Sequence, residues 1–121
     1  MLTRDAKKLD QALAALANKR RREIVNTLGK QPASIGQLAD QQHSSLPAIH
    51  RHIKVLERAN LVQRKKSGRV NFLAVDRTGL LLIQSWIAQY HAYWGSNSET
   101  LENYIDTIGK NRNQLAKLRK K

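Results

Sequence analysis

Arg51 and Lys54, with Ser45 and His50, are the side chains of this 121-residue chain best spaced for recognition chemistry. They alternate with Ile49, Ile53 and Leu56, whose three- and four-residue spacing is that of a helix packed on a core. The polar set must therefore lie on the helix's outer side, joined near its start by Ser44, Pro47 and Ala48. A guanidinium there can donate to both O6 and N7 of a guanine, with a hydroxyl and an imidazole assisting from neighbouring positions. A second set follows at Arg64, Lys65, Lys66 and Arg69, four cations with no acid among them. A charge run in isolation is as readily a solvated face. Behind a helix carrying the first set, it becomes a grip for phosphate. A third run, Lys19-Arg20-Arg21-Arg22, opens a helix and opposes its macrodipole, so something anionic has to compensate. Glu23 is one candidate and a nucleic-acid phosphate, reached by Arg21, is the other.

The elements that must hold these residues begin at Ser34. Ser34 and Gln37 have capping-box spacing, and Ile35, Leu38 and Ala39 give the helix to Gln42 its inner face. After a tight polar turn, Ser45 caps the next helix, and Pro47 lies in its first turn, where a missing N–H costs nothing. Residues 34–60 thus read as a helix-turn-helix, whose second helix, 45–59, enters a DNA major groove. Residues 61–75 read as a β-hairpin wing: Val62, Val70, Phe72 and Val75 favour strands, and Ser67-Gly68 supplies the turn.

Two further helices precede the motif. Residues 5–17 place Leu9, Leu13 and Leu16 on one side, and Asn18 caps a helix 19–28 whose inner face is Ile24, Val25 and Leu28. Gly29 closes it. After the wing, Asp76 caps a long helix, 77–94. Leu80, Ile83, Ile87, Tyr90 and Trp94 share one face, but Leu81, Trp86 and Tyr93 spread the apolar surface well beyond it. A small winged domain covers only one side of such a helix, so a second copy of the chain is its simplest cover. The expected dimerisation helices are 5–17 and 77–108, with Leu9, Leu13, Leu81, Ile83, Trp86, Ile87, Tyr90 and Trp94 at the interface. Ser96 and Glu99 have capping-box spacing ahead of a last helix carrying Leu101, Tyr104, Ile105 and Ile108, which Gly109 loosens into a basic tail, 109–121.

The whole composition agrees. One domain over 1–121 has room for a modest core. A formal charge of +13 points to a polyanion, nucleic acid ahead of an anionic membrane. No apolar run approaches the roughly 18–20 residues that span a bilayer, and the N-terminus has no signal-peptide centre. Zero cysteines exclude disulfides and thiolate metal sites, leaving the cytoplasm as the default compartment. From Asp76 to Ile108 only Arg77 stands against Asp76, Glu99, Glu102 and Asp106, a net −3, so the positive excess lies elsewhere.

Together these residues resemble the ArsR/SmtB family of dimeric winged-helix transcriptional repressors. The second-helix pattern L-A-x-x-x-R-x-x-I-x-x-L is matched by Leu16-Ala17, Arg21, Ile24 and Leu28. The recognition-helix pattern S-x-x-A-V-x-R-H-L-K-V-L is matched by Ser45, Ala48, Ile49, Arg51, His52, Ile53, Lys54, Val55 and Leu56, and the wing pattern G-R-x-x-Y by Gly68, Arg69 and Phe72. The likeness runs from about residue 9 to 108, with Tyr93-Trp94, Leu101, Tyr104 and Ile105 resembling one branch of the family. It implies a mainly α fold with a small β-hairpin, a winged helix-turn-helix with N- and C-terminal dimerisation helices. The departures are local. His43 stands where a glycine is common in the turn, which strains a positive φ, and Ser44 replaces an apolar residue. Lys19 replaces a proline, and Pro47 and His50 stand where small polar residues are frequent.

Many relatives release DNA on binding a metal, through thiolates or through His and carboxylates on the long dimer helix. This chain has no Cys, that helix has no acid after Asp76, and His91 is its only histidine. His50 and His52 lie about 200° apart around their helix and cannot chelate together. No metal and no cofactor are therefore expected, and His52 reads as a packed or phosphate-contacting residue. The aromatic group Trp86, Tyr90, Tyr93 and Trp94 leaves room for a small-molecule effector without identifying one. The expected function is a homodimeric, sequence-specific regulator of double-stranded DNA, a repressor on a palindromic operator. A non-specific architectural or RNA-binding protein is the alternative. No nucleophile–base pair, paired carboxylate or phosphate loop marks an enzyme.

Overall fold

The computed structural model describes residues 3–90 and 97–119. Its elements are α1 (Thr3–Leu16), α2 (Lys19–Lys30), β1 (Ala33–Ser34), α3 (Ile35–Gln41), α4 (Leu46–Arg58), β2 (Val62–Ser67), β3 (Val70–Val75), α5 (Arg77–Ala88) and α6 (Asn97–Arg119). Contacts divide the chain into two compact units, Met1–Trp86 and Ile87–Lys121.

In the first unit Ile24, Leu38, Ile49, Ile53, Leu56, Leu61 and Leu73 are fully buried, so α2, α3, α4, β3 and the link from α4 into β2 each place a large side chain at the centre. The helix ends follow the chemistry expected of them. Asn18 Oδ1 accepts from the Arg21 N–H at 3.1 Å. Ser34 and Gln37 complete a reciprocal capping box, at 2.9 and 3.2 Å. Ser45 Oγ accepts from the Ala48 N–H at 3.3 Å, and Asp76 Oδ1 from the Thr78 N–H at 3.0 Å. In the turn between α3 and α4, His43 adopts φ 50°, a left-handed conformation that costs a non-glycine residue about 1–2 kcal/mol.

The sheet is antiparallel in the order β1-β3-β2. Its first strand, Ala33–Ser34 against Leu73 and Phe72, was not expected; two residues are too few to carry a periodicity. In the hairpin Ser67 pairs with Val70, so the turn is Gly68-Arg69, one residue later than Ser67-Gly68. Gly68 takes φ +63°, as a two-residue hairpin loop requires.

Several boundaries differ from expectation. α2 runs through Gly29 to Lys30, and the Gln31 N–H closes it on the Thr27 carbonyl. In α1 the buried residues are Leu9, Ala12 and Ala15, while Leu13 is 38% exposed. Leu9 is thus a correction: it is buried within the single chain and is no free interface residue. α5 stops at Ala88, not at residue 94, where the Tyr90 N–H folds back to the Ile87 carbonyl, an i→i−3 bond that ends the ladder. Its contact side is narrow: Gly79 is buried, and Leu80 and Ile83 pack on the core. Trp94 and the Ser96 cap lie outside the described residues, as does His91.

The second unit is mostly α6, 23 residues long. It passes through Gly109, so the expected break there is a correction and residues 109–119 continue the helix. A glycine inside a helix costs only about 1 kcal/mol relative to alanine, which its Lys-, Arg-, Gln- and Leu-rich continuation offsets.

Candidate nucleic-acid interface

α4 is held by its buried Ile49, Ile53 and Leu56, which fixes what it can present. Pro47, Arg51 and Lys54 are exposed, and Ala48 and His50 half-buried. Ser45 is exposed too; its hydroxyl oxygen is occupied by the Ala48 N–H, leaving its own hydrogen to donate outward. Ser44 is half-buried, its N–H donated to the Ala39 carbonyl. The wing stands beside this helix through one ion pair, Arg64 Nη2 to Glu57 Oε1 at 2.7 Å. Arg64, expected in the phosphate set, ties β2 to α4 through its guanidinium. Lys65, Lys66 and Arg69 remain exposed at the tip. Among the described residues Arg51, Lys54, Lys65, Lys66 and Arg69 have no hydrogen-bond or ion-pair partner within the chain.

The arginine run opening α2 is used differently from either expectation. Arg21 donates from Nε to the Ala15 carbonyl and from Nη2 to the Ala14 carbonyl at 3.3 Å, and Arg22 Nη1 donates to the Leu16 carbonyl at 2.9 Å. The compensating partner is thus the C-terminus of α1, the negative end of its dipole, where the Ala14 carbonyl also accepts the Ala17 N–H at 3.2 Å. Arg20 Nη1 reaches the Gln42 carbonyl at 3.1 Å while Gln42 Nε2 returns to the Arg20 carbonyl at 3.0 Å, latching α2 to the end of α3. Arg21, expected among the phosphate contacts, has its guanidinium on the Ala14 and Ala15 carbonyls. Its sequence signal was the preceding helix end, two residues upstream of α2.

His52 lies half-buried beside these groups. Burial, then the charges of Arg21, Arg20 and Arg51, hold its imidazole below the ordinary value near 6.5, so it stays neutral at physiological pH.

Between the first turns of α4, the start of α3 and the tip of the wing lies an open hollow of about 380 Å³, lined in part by Leu46, His50, Arg69, Val70 and Asn71. The sequence marked only His50 and Arg69 of these. Leu46 lies three residues before Ile49, a spacing that reads as core, yet it is 52% exposed. Among the described residues no group of three or more His, Cys, Asp or Glu converges as metal ligands would, and no helix is long and apolar enough to cross a membrane.

Residues 16–64 match the model of a helix-turn-helix domain. The HTH-type transcriptional regulator Rv2034 of Mycobacterium tuberculosis is 38% identical over 76 residues, covering 63% of this chain and 71% of that protein. Among solved structures, the ArsR family transcriptional regulator RHA00566 superposes with a TM-score of 0.67 at 28% identity, over 76% of this chain and 95% of that one. The homodimeric winged helix-turn-helix DNA-binding domain Mb0332 of Mycobacterium bovis gives 0.60 at 18% identity, over 74% and 87%, a likeness of fold. With its helix-turn-helix, its hairpin wing and this relationship together, the chain belongs to the ArsR-like winged helix-turn-helix transcriptional regulators, a non-enzymatic DNA-binding family.

Proposed function

We propose that the chain acts as a homodimeric repressor that occludes a promoter by binding a palindromic operator, reading it with residues 45–59 and gripping it with the 61–75 wing. The observation that carries this is the division of the cations into two kinds. Arg20, Arg21, Arg22 and Arg64 are bonded within the chain, whereas Arg51, Lys54, Lys65, Lys66 and Arg69 are exposed and uncommitted, on two elements that Arg64–Glu57 joins. Arg51, in the middle of α4, is the residue for base edges; Lys65, Lys66 and Arg69 at the wing suit phosphate or the minor groove.

Two copies are supported by the exposed apolar side chains Leu13 and Leu81 in the first unit and Ile87, Leu101 and Ile105 in the second. The homodimeric state of the M. bovis domain supports the same reading. A two-fold dimer presents its recognition helices to half-sites about 34–36 Å apart, which makes the operator palindromic. DNA binding indifferent to divalent metals goes with this reading.

The test is a pair of variants on a duplex selected from random DNA by the wild-type protein. Arg51→Ala should lower affinity for that duplex by about 1–3 kcal/mol and leave random DNA nearly untouched. Lys66→Ala should weaken both equally and lower the salt slope by about one. Equal proportional losses in both variants would mean that α4 does not read sequence, the behaviour of a non-specific nucleic-acid binder.

A further inference from the structure

We infer that Leu46 is a specificity-determining residue that reads the C5-methyl group of a thymine in the operator; this rests on the proposed sequence-specific function. Ile35, Leu38, Ile49, Ile53 and Leu56, the other leucines and isoleucines of the two-helix motif, are between 0% and 6% exposed, and Val55 is half-buried. Leu46, at the first position of α4, is 52% exposed, placed there by the Ser45 cap. It sits at the mouth of the hollow between α4 and the wing, near Val70, itself 44% exposed. His50, one turn further along the same face of α4, and Arg69 line the same hollow.

The occupant of such a place has to suit a cation and apolar side chains that line one hollow. Duplex DNA meets both demands at the edge of its major groove. Its phosphates answer Arg69 and the neighbouring lysines, and its base edges carry one apolar group, the thymine methyl. The first residues of a recognition helix are the ones that reach those edges. A polar residue at position 46 would meet any base through hydrogen bonds. A leucine gains only where a methyl group is present, and so separates thymine from cytosine at one position.

Uracil in place of thymine removes the methyl and keeps every hydrogen-bonding group. The wild-type protein first enriches a duplex from a random pool, and affinities are then measured for that duplex with uracil replacing each thymine in turn. At one thymine per half-site the substitution should lower wild-type affinity about fourfold, the worth of one buried methyl. Leu46→Ala should bind the thymine and uracil duplexes alike while binding random DNA as the wild type does. The inference fails if uracil is tolerated at every thymine, or if its effect persists in Leu46→Ala. It fails equally if Leu46→Ala weakens selected and random DNA in the same proportion, the mark of packing against deoxyribose alone. A wild type that enriches a site yet ignores the methyl removes only this role of Leu46. A wild type that enriches no site removes the sequence-specific reading as well.

Discussion

Arg21 and Arg51 carry the same guanidinium and meet opposite surroundings. Arg21 forks onto the Ala14 and Ala15 carbonyls, closing α1, while Arg51 is exposed on α4. Arg21→Ala should therefore act on the fold: it removes two charge-assisted hydrogen bonds and should lower stability by about 1–3 kcal/mol in urea unfolding. The salt slope of DNA binding should stay as it is; a slope reduced by one would return Arg21 to the phosphate set. His52 has its own signature. Burial and the charges of Arg21, Arg20 and Arg51 depress its folded-state value, so the unfolded chain takes up the proton first as pH falls below about 6.5. Stability should be unaffected by this group above that pH, fall as pH drops toward the folded value, and level off below it. His52→Gln should flatten that part of the curve in unfolding midpoints measured from pH 7.5 to 5. The sequence displays charge type, and so marked Arg51, Lys65 and Lys66 as well as Arg21 and Arg64. It does not display partners: the Glu57–Arg64 pair needs the hairpin folded against α4, and the Arg21 fork needs the bend at Ala17-Asn18.

At the scale of elements, caps were legible because they are local. Asn18, Ser34 with Gln37, Ser45 and Asp76 each bond a backbone N–H two or three residues on. Glycine was less legible, since its meaning depends on what faces it. Gly29 has open space where a Cβ would go, and helix α2 runs through it. At Gly79 a Cβ would come within 2.6 Å of the Ala59 carbonyl oxygen, 2.8 Å of that of Asn60 and 2.9 Å of Leu61. Two of those are backbone atoms, so α5 would have to move away from the end of α4. Gly79→Ala should cost about 1–3 kcal/mol by thermal or urea unfolding. Gly29→Ala should instead gain about 0.5–1 kcal/mol. Similar losses at both positions would mean that α5 does not approach α4 this closely. The end of α5 at Ala88 was hidden because apolar periodicity continues past the backbone's last helical bond.

At the scale of the molecule, the winged motif was legible as a whole. Its hydrophobic stripe, caps and hairpin all lie within residues 34–75, and most local preferences agree with the same fold, His43 and Leu46 being the exceptions. How the apolar residues of α1 and α5 divide between the chain's own core and water was not, since a 3.6-residue stripe has no label for its partner. Leu9 went inward and Leu13 outward. A dimer follows as the expected state, and Ile87→Glu is its cleanest probe, because that side chain is 57% exposed and its loss leaves the first unit's core intact. Sedimentation should give twice the chain mass for the wild type at micromolar concentration and the single mass for Ile87→Glu, with operator binding reduced at least tenfold. A wild type that sediments as a single chain would overturn the dimer.

Residues 59–61 form a junction whose consequence concerns chain length. The Leu61 N–H bonds back to Leu56, the Leu61 carbonyl receives the Asp76 N–H at 2.9 Å, and the Asn60 carbonyl receives the Gly79 N–H at 2.7 Å. The recognition helix, both ends of the hairpin and α5 therefore leave from one knot of backbone, with Asn60 at φ 57° as its pivot. An extra residue at the Gly68-Arg69 tip changes the reach of the wing and leaves the helices where they are. An extra residue at 59–61 rotates everything downstream against the DNA-facing side, so insertions and deletions are admissible at the tip and forbidden at the knot.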